Sequence, residues 1–367
     1  MSVAQEKKYN DNSMRKMEFK NQTVFFKSSE HMSELEDESI DVVITSPPYN
    51  RGKTYSSDNG EIHDDKMEDA EYYSFLTTIW SECYRVAKKS AVFFLNIGDS
   101  AGDQGKSEKV AKSVENSSWK RIQDIIWVKS FLGKGHYTPS GGNRRLNNLW
   151  EHIFLFAKNT KEYKIDPKAI GIPYSDKSNI GRYSDIDLRD PGNVWLIPYM
   201  KTTGASVKKG HEAPFPIGLP YKCIKMVPNT KTVLDPFGGT CSTLAACLKL
   251  GVKGYAYEKY PRVEVIKSRI LEGKNLQEIE ENLIPHLELS LKLLNNLLSN
   301  TSMEIPVIKS KAEFNNLYIL NEVLNNLHID NSFKRSLEKR MNHFKESLNK
   351  KKEQEIKFRQ TKLDFES

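Results

Sequence analysis

Short runs of β-branched and aromatic residues, separated by polar stretches, dominate the first half of the chain and read as buried strands. Two such runs are VFF (24–26) and DVVIT (41–45), the second ending in the turn-forming SPPYN. Residues 51–65 are rich in Gly, Ser, Asn and Asp without an apolar period, which predicts a surface loop able to close over a substrate. From 68 to 89 the apolar residues Tyr72, Phe75, Leu76, Ile79, Cys83 and Val86 recur at helical spacing, and AVFFLNIGD (91–99) then reads as a buried strand. Residues 100–118 are polar and predict a connection. DIIWVK (124–129) and HIFLFAK (152–158) predict strands with an irregular basic segment between them.

Residues 159–210 show neither period but carry aromatics and turn dipeptides, which predicts an inserted, loop-rich region. Regularity returns at TVLDPFGGTCSTLAACLKLG (232–251), a strand, a glycine-bearing turn and a helix. The strand KGYAYE (253–258) and a helix to about Leu271 complete a βαβ unit. Further on, Leu287, Leu291, Leu294 and Leu298 form one helical stripe, and Phe314, Leu317, Leu320, Leu324 and Leu327 form another. The expected organisation is a tail over 1–21, a main domain over 22–271 with the insertion at 159–210, and an α-helical extension over 272–367.

Composition narrows the partners. With 367 residues, 38% hydrophobic and 28% charged, the chain is long enough for a sizeable core. No stretch is apolar for the length of a membrane span, so no membrane partner is expected. The first twenty residues are polar and mixed in charge, unlike a signal or transit peptide, which predicts a cytoplasmic location. The 4 cysteines, Cys83, Cys223, Cys241 and Cys247, form no CxxC pair and have no His at zinc-finger spacing, so neither a disulfide nor a metal site is expected. A formal charge of +7 is compatible with a polyanionic partner.

Two constellations carry chemistry. Ser46-Pro47-Pro48-Tyr49 closes an apolar strand. Its consecutive prolines fix two φ angles and remove two N–H donors, which leaves a rigid ledge of carbonyl acceptors. The exocyclic amine of cytosine or adenine is a poor nucleophile because its lone pair is delocalised into the ring. Acceptors holding both amine hydrogens, here the Ser46 hydroxyl and the Pro47 carbonyl, favour a pyramidal nitrogen with its lone pair aimed at an incoming methyl group. Tyr49 offers a ring face on which a flipped base stacks, an interaction worth roughly 1 to 3 kcal/mol. A double-proline turn after a strand also occurs for purely structural reasons.

The second constellation, Asp235-Pro236-Phe237-Gly238-Gly239-Thr240-Cys241, lies between a strand and a helix. Glycines allow close backbone approach, and the following helix N-terminus favours a carboxylate. About twenty residues on, Glu258 stands at the end of the next strand, where an acid accepts hydrogen bonds from ribose hydroxyls. S-adenosylmethionine (SAM) has both groups. The same turn also suits NAD or a phosphate, although neither a Walker lysine nor GxGxxG is present.

TSPPYN, WEHIFLFAKN, HEAPFP (211–216) and DPFGG, in that order, resemble the N4-cytosine/N6-adenine DNA methyltransferases, in particular their permuted β group, in which SPPY or DPPY lies upstream of the SAM motif. The resemblance covers about 22–271. It implies an α/β fold with a Rossmann-like, mostly parallel sheet and helices on both faces, SAM as cofactor, and transfer of its methyl to a flipped base. It also implies that Ser46, Pro47, Pro48 and Tyr49 engage the target, that the turn from Asp235 through Cys241 to Thr243 holds the methionine end of SAM, and that Glu258 holds the ribose. Pro214, Phe215 and Pro216 line the cofactor pocket by the same resemblance, with plain core packing as the alternative for Phe215 and Phe237.

Within the family SPPY goes mostly with cytosine N4, so cytosine is the favoured target, with adenine N6 and a catalytically silent SAM- and DNA-binding regulator as alternatives. Two positions depart from the pattern. Ser28 stands where relatives often carry an Asp facing the adenine of SAM, and Cys241 replaces a glycine. If position 241 needs positive φ, Cys strains it. A thiol beside the cofactor would make SAM affinity sensitive to oxidation or alkylation. Double-stranded DNA is the implied partner, a homodimer and a cognate restriction endonuclease are further partners compatible with it, and Lys134, His136, Arg144, Arg145, Lys201, Lys208 and Lys209 are the basic residues expected to contact DNA.

Overall fold

The computed structural model describes residues 16–50, 52, 54–56, 62–99, 102–129, 146, 148–172, 174, 177–182, 185–197 and 215–275. All of them fall in one contact unit, Met1–Phe131 with Gly135–Pro285. The second unit, and with it the expected helical extension from residue 276 onward, lies outside the described residues.

Unbroken apolar runs become the central strands of a sheet that has nine strands among the described residues. In chain order the strands of the sheet are β1 (Lys16–Phe19), β2 (Gln22–Phe25), β3 (Ile40–Thr45), β6 (Ala87–Ile97), β7 (Lys120–Val128), β8 (Trp150–Ala157), β9 (Val194–Leu196), β10 (Thr232–Asp235) and β11 (Lys253–Tyr257), while β4 (Thr54–Ser56) and β5 (Ile62–Asp64) form a separate hairpin. The spatial order is β1-β2-β11-β10-β3-β6-β8-β7-β9. β2, β11, β10, β3 and β6 are mutually parallel, and β8 runs antiparallel between β6 and β7. Strands buried on both faces need no polar alternation, which is why β6 reads AVFFLNI without a break in burial.

Successive residues of these strands feed opposite cores. Val43, Phe93, Leu95 and Leu234 face α1 (Asp69–Val86) and α2 (Lys106–Asn116). Val42, Ile44, Val92, Phe94 and Val233 face α3 (Gly218–Lys225) and α4 (Ser242–Leu250). A third cluster packs α4 and α5 (Val263–Glu272) over Met17, Val24 and Ala256. The result is the α/β fold implied above, with a mostly parallel sheet and helices on both faces.

The structure corrects several expectations. Helix α2 occupies the stretch read as a polar connection. Its apolar stripe is only Val110, Ala111 and Val114, and it is sustained by tertiary contacts, among them the hydrogen bond from the Trp80 indole to Ser113 Oγ at 2.9 Å. β6 begins directly at Ala87, four residues before the expected start, because Ala87 pairs with Ile40 and Lys88 is held by Asp41. β1 lies within the expected tail, paired antiparallel to β2. The expected loop at 51–65 contains the β4–β5 hairpin, and the stretch expected to be a loop-rich insertion contains β9, which adds to the sheet beside β7 through the buried Trp195. α3 covers a stretch whose residue pattern predicts no element.

Candidate functional site

Parallel strands bring their carboxyl ends to one edge of the sheet, and that edge is where open α/β sheets bind ligands, at the point where the chain switches direction. Here Ser28 follows β2, Glu258 follows β11, the DPFGG turn follows β10, SPPY follows β3 and Gly98 follows β6, on five neighbouring strands. The switch lies between β10 and β3. Motifs almost 190 residues apart in sequence therefore meet.

One buried carboxylate joins them. Asp235 Oδ1 accepts from the Thr45 hydroxyl at 2.6 Å and from the Phe237 amide at 3.1 Å, and Oδ2 accepts from the Thr243 hydroxyl at 2.6 Å. Asp235 thus ties the last residue of β3, which immediately precedes Ser46, to the glycine turn and to the first turn of α4. It is 1% exposed, and burial pushes its carboxyl up to about 6 against the pull of Thr243, Thr45 and the Phe237 amide. Its acceptor sites are committed to the protein, so it organises the site from behind.

The turn itself follows the logic of close approach. A Cβ on Gly238 would sit 2.9 Å from the Ala256 Cβ, and the Gly238 amide donates to the Tyr257 carbonyl at 2.8 Å, so only glycine lets the turn lie against β11. Gly239 has φ +53 and its amide donates to Glu258 Oε2 at 2.8 Å, while Glu258 Oε1 accepts from the Tyr260 amide at 2.9 Å. Burial raises the Glu258 carboxyl, partly offset by those amides and by Arg262. Thr240 Oγ1 is buried and has no hydrogen-bond partner among the described residues. An orphaned hydroxyl, an acid bridging the turn and a glycine pair without side chains fit a ligand with amino-acid and ribose moieties, as SAM has.

Cys241 has φ +66, so the strain inferred from its identity is real. Its side chain, however, is fully buried among Val24, Leu244, Ala256, Ile266 and Ile270. Burial, with Asp235 and Glu258 nearby, pushes the thiol up. Ready oxidation or alkylation of Cys241 in the folded chain is therefore not supported, since the thiolate is the reactive form. All four cysteines are buried and free, and among the described residues no cluster of metal-ligating side chains occurs.

On the other side of Asp235, Ser46 Oγ and the Pro47 carbonyl have no hydrogen-bond partner among the described residues. The Pro48 carbonyl is different: it accepts from the Tyr72 hydroxyl at 2.6 Å, which anchors the ledge to α1. Asn50, at φ +51, grips the Met67 backbone through both amide atoms and closes the base of the β4–β5 excursion. The Tyr49 ring packs against the core, and its hydroxyl donates to Glu151 Oε2 and accepts from the Gly98 amide, both at 3.2 Å.

Phe237 sits edge-on to Phe75 and Trp80, so its ring belongs to the α1 core. Phe215 is half-buried on the opposite core, and its carbonyl accepts from the Ser242 hydroxyl at 2.9 Å and from Arg269 at 3.3 Å, with Pro216 buried beside it. This docks Phe215 onto the first turn of α4. Ser28 Oγ donates to Glu30 at 2.7 Å. Pro214, Lys134, His136, Arg144, Arg145, Lys201, Lys208 and Lys209 lie outside the described residues.

Sequence reasoning missed Asn96, Lys129, Glu151 and Arg269. The first three left a trace, each being a polar residue that interrupts, ends or directly precedes an apolar strand run. Arg269 left none, because a single arginine on an amphipathic helix looks like a surface charge until its 1% exposure is seen.

The family profile of the N6/N4 group, described as DNA methylase, matches residues 40–267. The type II methyltransferase M.MthZI of Methanothermobacter thermautotrophicus is 26% identical over 286 residues, covering 69% of this chain and 77% of that protein. M.MwoI of Methanothermobacter wolfeii, also a type II methyltransferase, is 30% identical over 238 residues, covering 62% of this chain and 29% of that protein. Among solved structures, the PvuII DNA methyltransferase (cytosine-N4-specific) superposes with a TM-score of 0.51 at 20% identity, covering 78% of this chain and 96% of that one. No described helix is long and apolar enough to cross a membrane.

Proposed function

We propose, since this chain belongs to the N6/N4 DNA methylase family, that it is a site-specific DNA methyltransferase acting on N4 of a cytosine flipped out of the duplex. SAM supplies an electrophilic methyl group on sulfur. The chain's own residues hold the nucleophile: Ser46 Oγ and the Pro47 carbonyl accept the two amine hydrogens, and Tyr49 stacks on the ring. Glu258 receives the ribose hydroxyls, exchanging its bond to the Gly239 amide for them. The turn from Asp235 to Thr243, with Pro236, Gly238, Gly239 and Thr240, takes the methionine end, and the segment Pro214-Phe215-Pro216 closes one side. Flipping the base costs a few kcal/mol, offset by phosphate contacts from the basic residues.

The observation that carries this reading is the Thr45–Asp235 hydrogen bond, because it holds the amine-binding ledge and the glycine turn on adjacent strands with their open groups at one edge. Ser at the head of SPPY supports cytosine over adenine, and the motif order supports the permuted β group. The names of the relatives extend the reading to restriction and modification, with a cognate endonuclease as partner. Incubation of the purified chain with SAM and mixed-sequence DNA, followed by mass spectrometry of the nucleosides, is expected to yield N4-methylcytosine. N6-methyladenine as the only product moves the target to adenine. Binding of SAM and DNA with no methylated nucleoside makes the chain a regulator instead.

A further inference from the structure

We propose, resting on the base-methylating reading above, that Glu151 is a positioning residue for the target base and acts through the hydroxyl of Tyr49. Glu151 is the second residue of β8, the antiparallel strand beside β6, and its carboxylate reaches the carboxyl ends of β3 and β6. Oε2 accepts from Tyr49 Oη at 3.2 Å and from Asn96 Nδ2 at 3.1 Å, and Oε1 accepts from Lys129 Nζ at 2.8 Å. The Gly98 amide donates to Tyr49 Oη from the other side. The phenol is therefore clamped as both donor and acceptor.

Three features argue against an incidental contact. Lys129 is 7% exposed and Glu151 14%, so the ion pair is largely taken out of water, where desolvation opposes the Coulombic gain and a pair of this kind adds little net stability. Gly98 has no room for a side chain, since a Cβ there would come 2.7 Å from Glu151 Cγ. The cluster ends at the ring on which the base is to stack. A ring free to swing would displace the stacked base, and a 1 Å misplacement of a reacting group costs on the order of a hundredfold in rate.

The test is a double-mutant cycle on the full chain, with kcat and KM for SAM measured alongside the melting temperature. Tyr49→Phe and Glu151→Ala are each expected to lower kcat about tenfold at unchanged KM for SAM, and the double variant to be no slower than the slower single one. Glu151→Gln, whose amide oxygen still accepts from Tyr49, is expected to recover most of what Glu151→Ala loses. Should the unpaired lysine unfold Glu151→Ala, Lys129→Met/Glu151→Ala makes the same truncation without it. Losses that multiply in the double variant, or a Tyr49→Phe enzyme as fast as wild type, overturn the inference while leaving methyl transfer by the wild type intact. A wild type that transfers no methyl removes the underlying reading and the inference with it.

Discussion

Asp235 is the residue whose chemistry and architecture are hardest to separate. Its carboxyl is raised from 3.8 to about 6 by burial. A group whose folded-state pKa lies above its unfolded value stabilises the fold fully below the unfolded pKa, and that contribution is lost as pH rises through the folded one. Its size is on the order of 3 kcal/mol. Asp235→Asn, which can still accept from Thr45 and donate to Thr243, is expected to flatten the fall in melting temperature between about pH 4 and pH 6. An equally steep fall in the variant assigns that pH dependence to another group. At Cys241 the left-handed backbone costs about 1–2 kcal/mol, while burial of the thiol returns about 1 kcal/mol. Cys241→Gly should therefore change stability by less than about 1 kcal/mol, and Cys241→Val, β-branched at positive φ in a filled cluster, should cost more than about 2 kcal/mol. Denaturant titration of both variants measures the contrast.

At the scale of elements, the site depends on how α4 is held. Arg269 of α5 donates to Ser242 Oγ at 3.1 Å and 3.0 Å and to the Phe215 carbonyl, and it pairs with Glu272 at 2.5 Å. One buried guanidinium thus joins α5, the helix that starts at the glycine turn, and Phe215. Arg269→Met keeps the packing volume but leaves Ser242 and the Phe215 carbonyl short of a donor. It is expected to cost about 1–3 kcal/mol in stability and to weaken SAM binding severalfold, read by calorimetric titration. Unchanged SAM affinity would mean that Phe215 docks without it. The same dependence on neighbours explains the elements that pattern alone did not reveal. α2 has a stripe of three small apolar residues and is stabilised by Trp80 and Trp119 beneath it, and β9 is three residues long and exists because β7 offers it an edge.

For the whole molecule, the formal charge of +7 and the DNA substrate of the family give a measurable consequence. DNA affinity should fall steeply with salt, with log K linear in log salt and a slope set by the number of phosphates neutralised. A flat response in a fluorescence-anisotropy titration would remove the basic residues from the DNA-facing side. At this scale the sequence by itself determined the central strands, the helix α1, the βαβ unit around the glycine turn and the two motifs, because each rests on local rules: apolar runs for strands buried on both faces, helical spacing, proline rigidity and glycine freedom. It did not determine that SPPY and DPFGG share one carboxylate, that Glu151 and Lys129 reach Tyr49, that Cys241 points into the core, or that Arg269 is buried. Those facts required strand order, since which residues meet across a sheet depends on pairings between segments as far apart as Gln22 and Gly254, and no local periodicity encodes them.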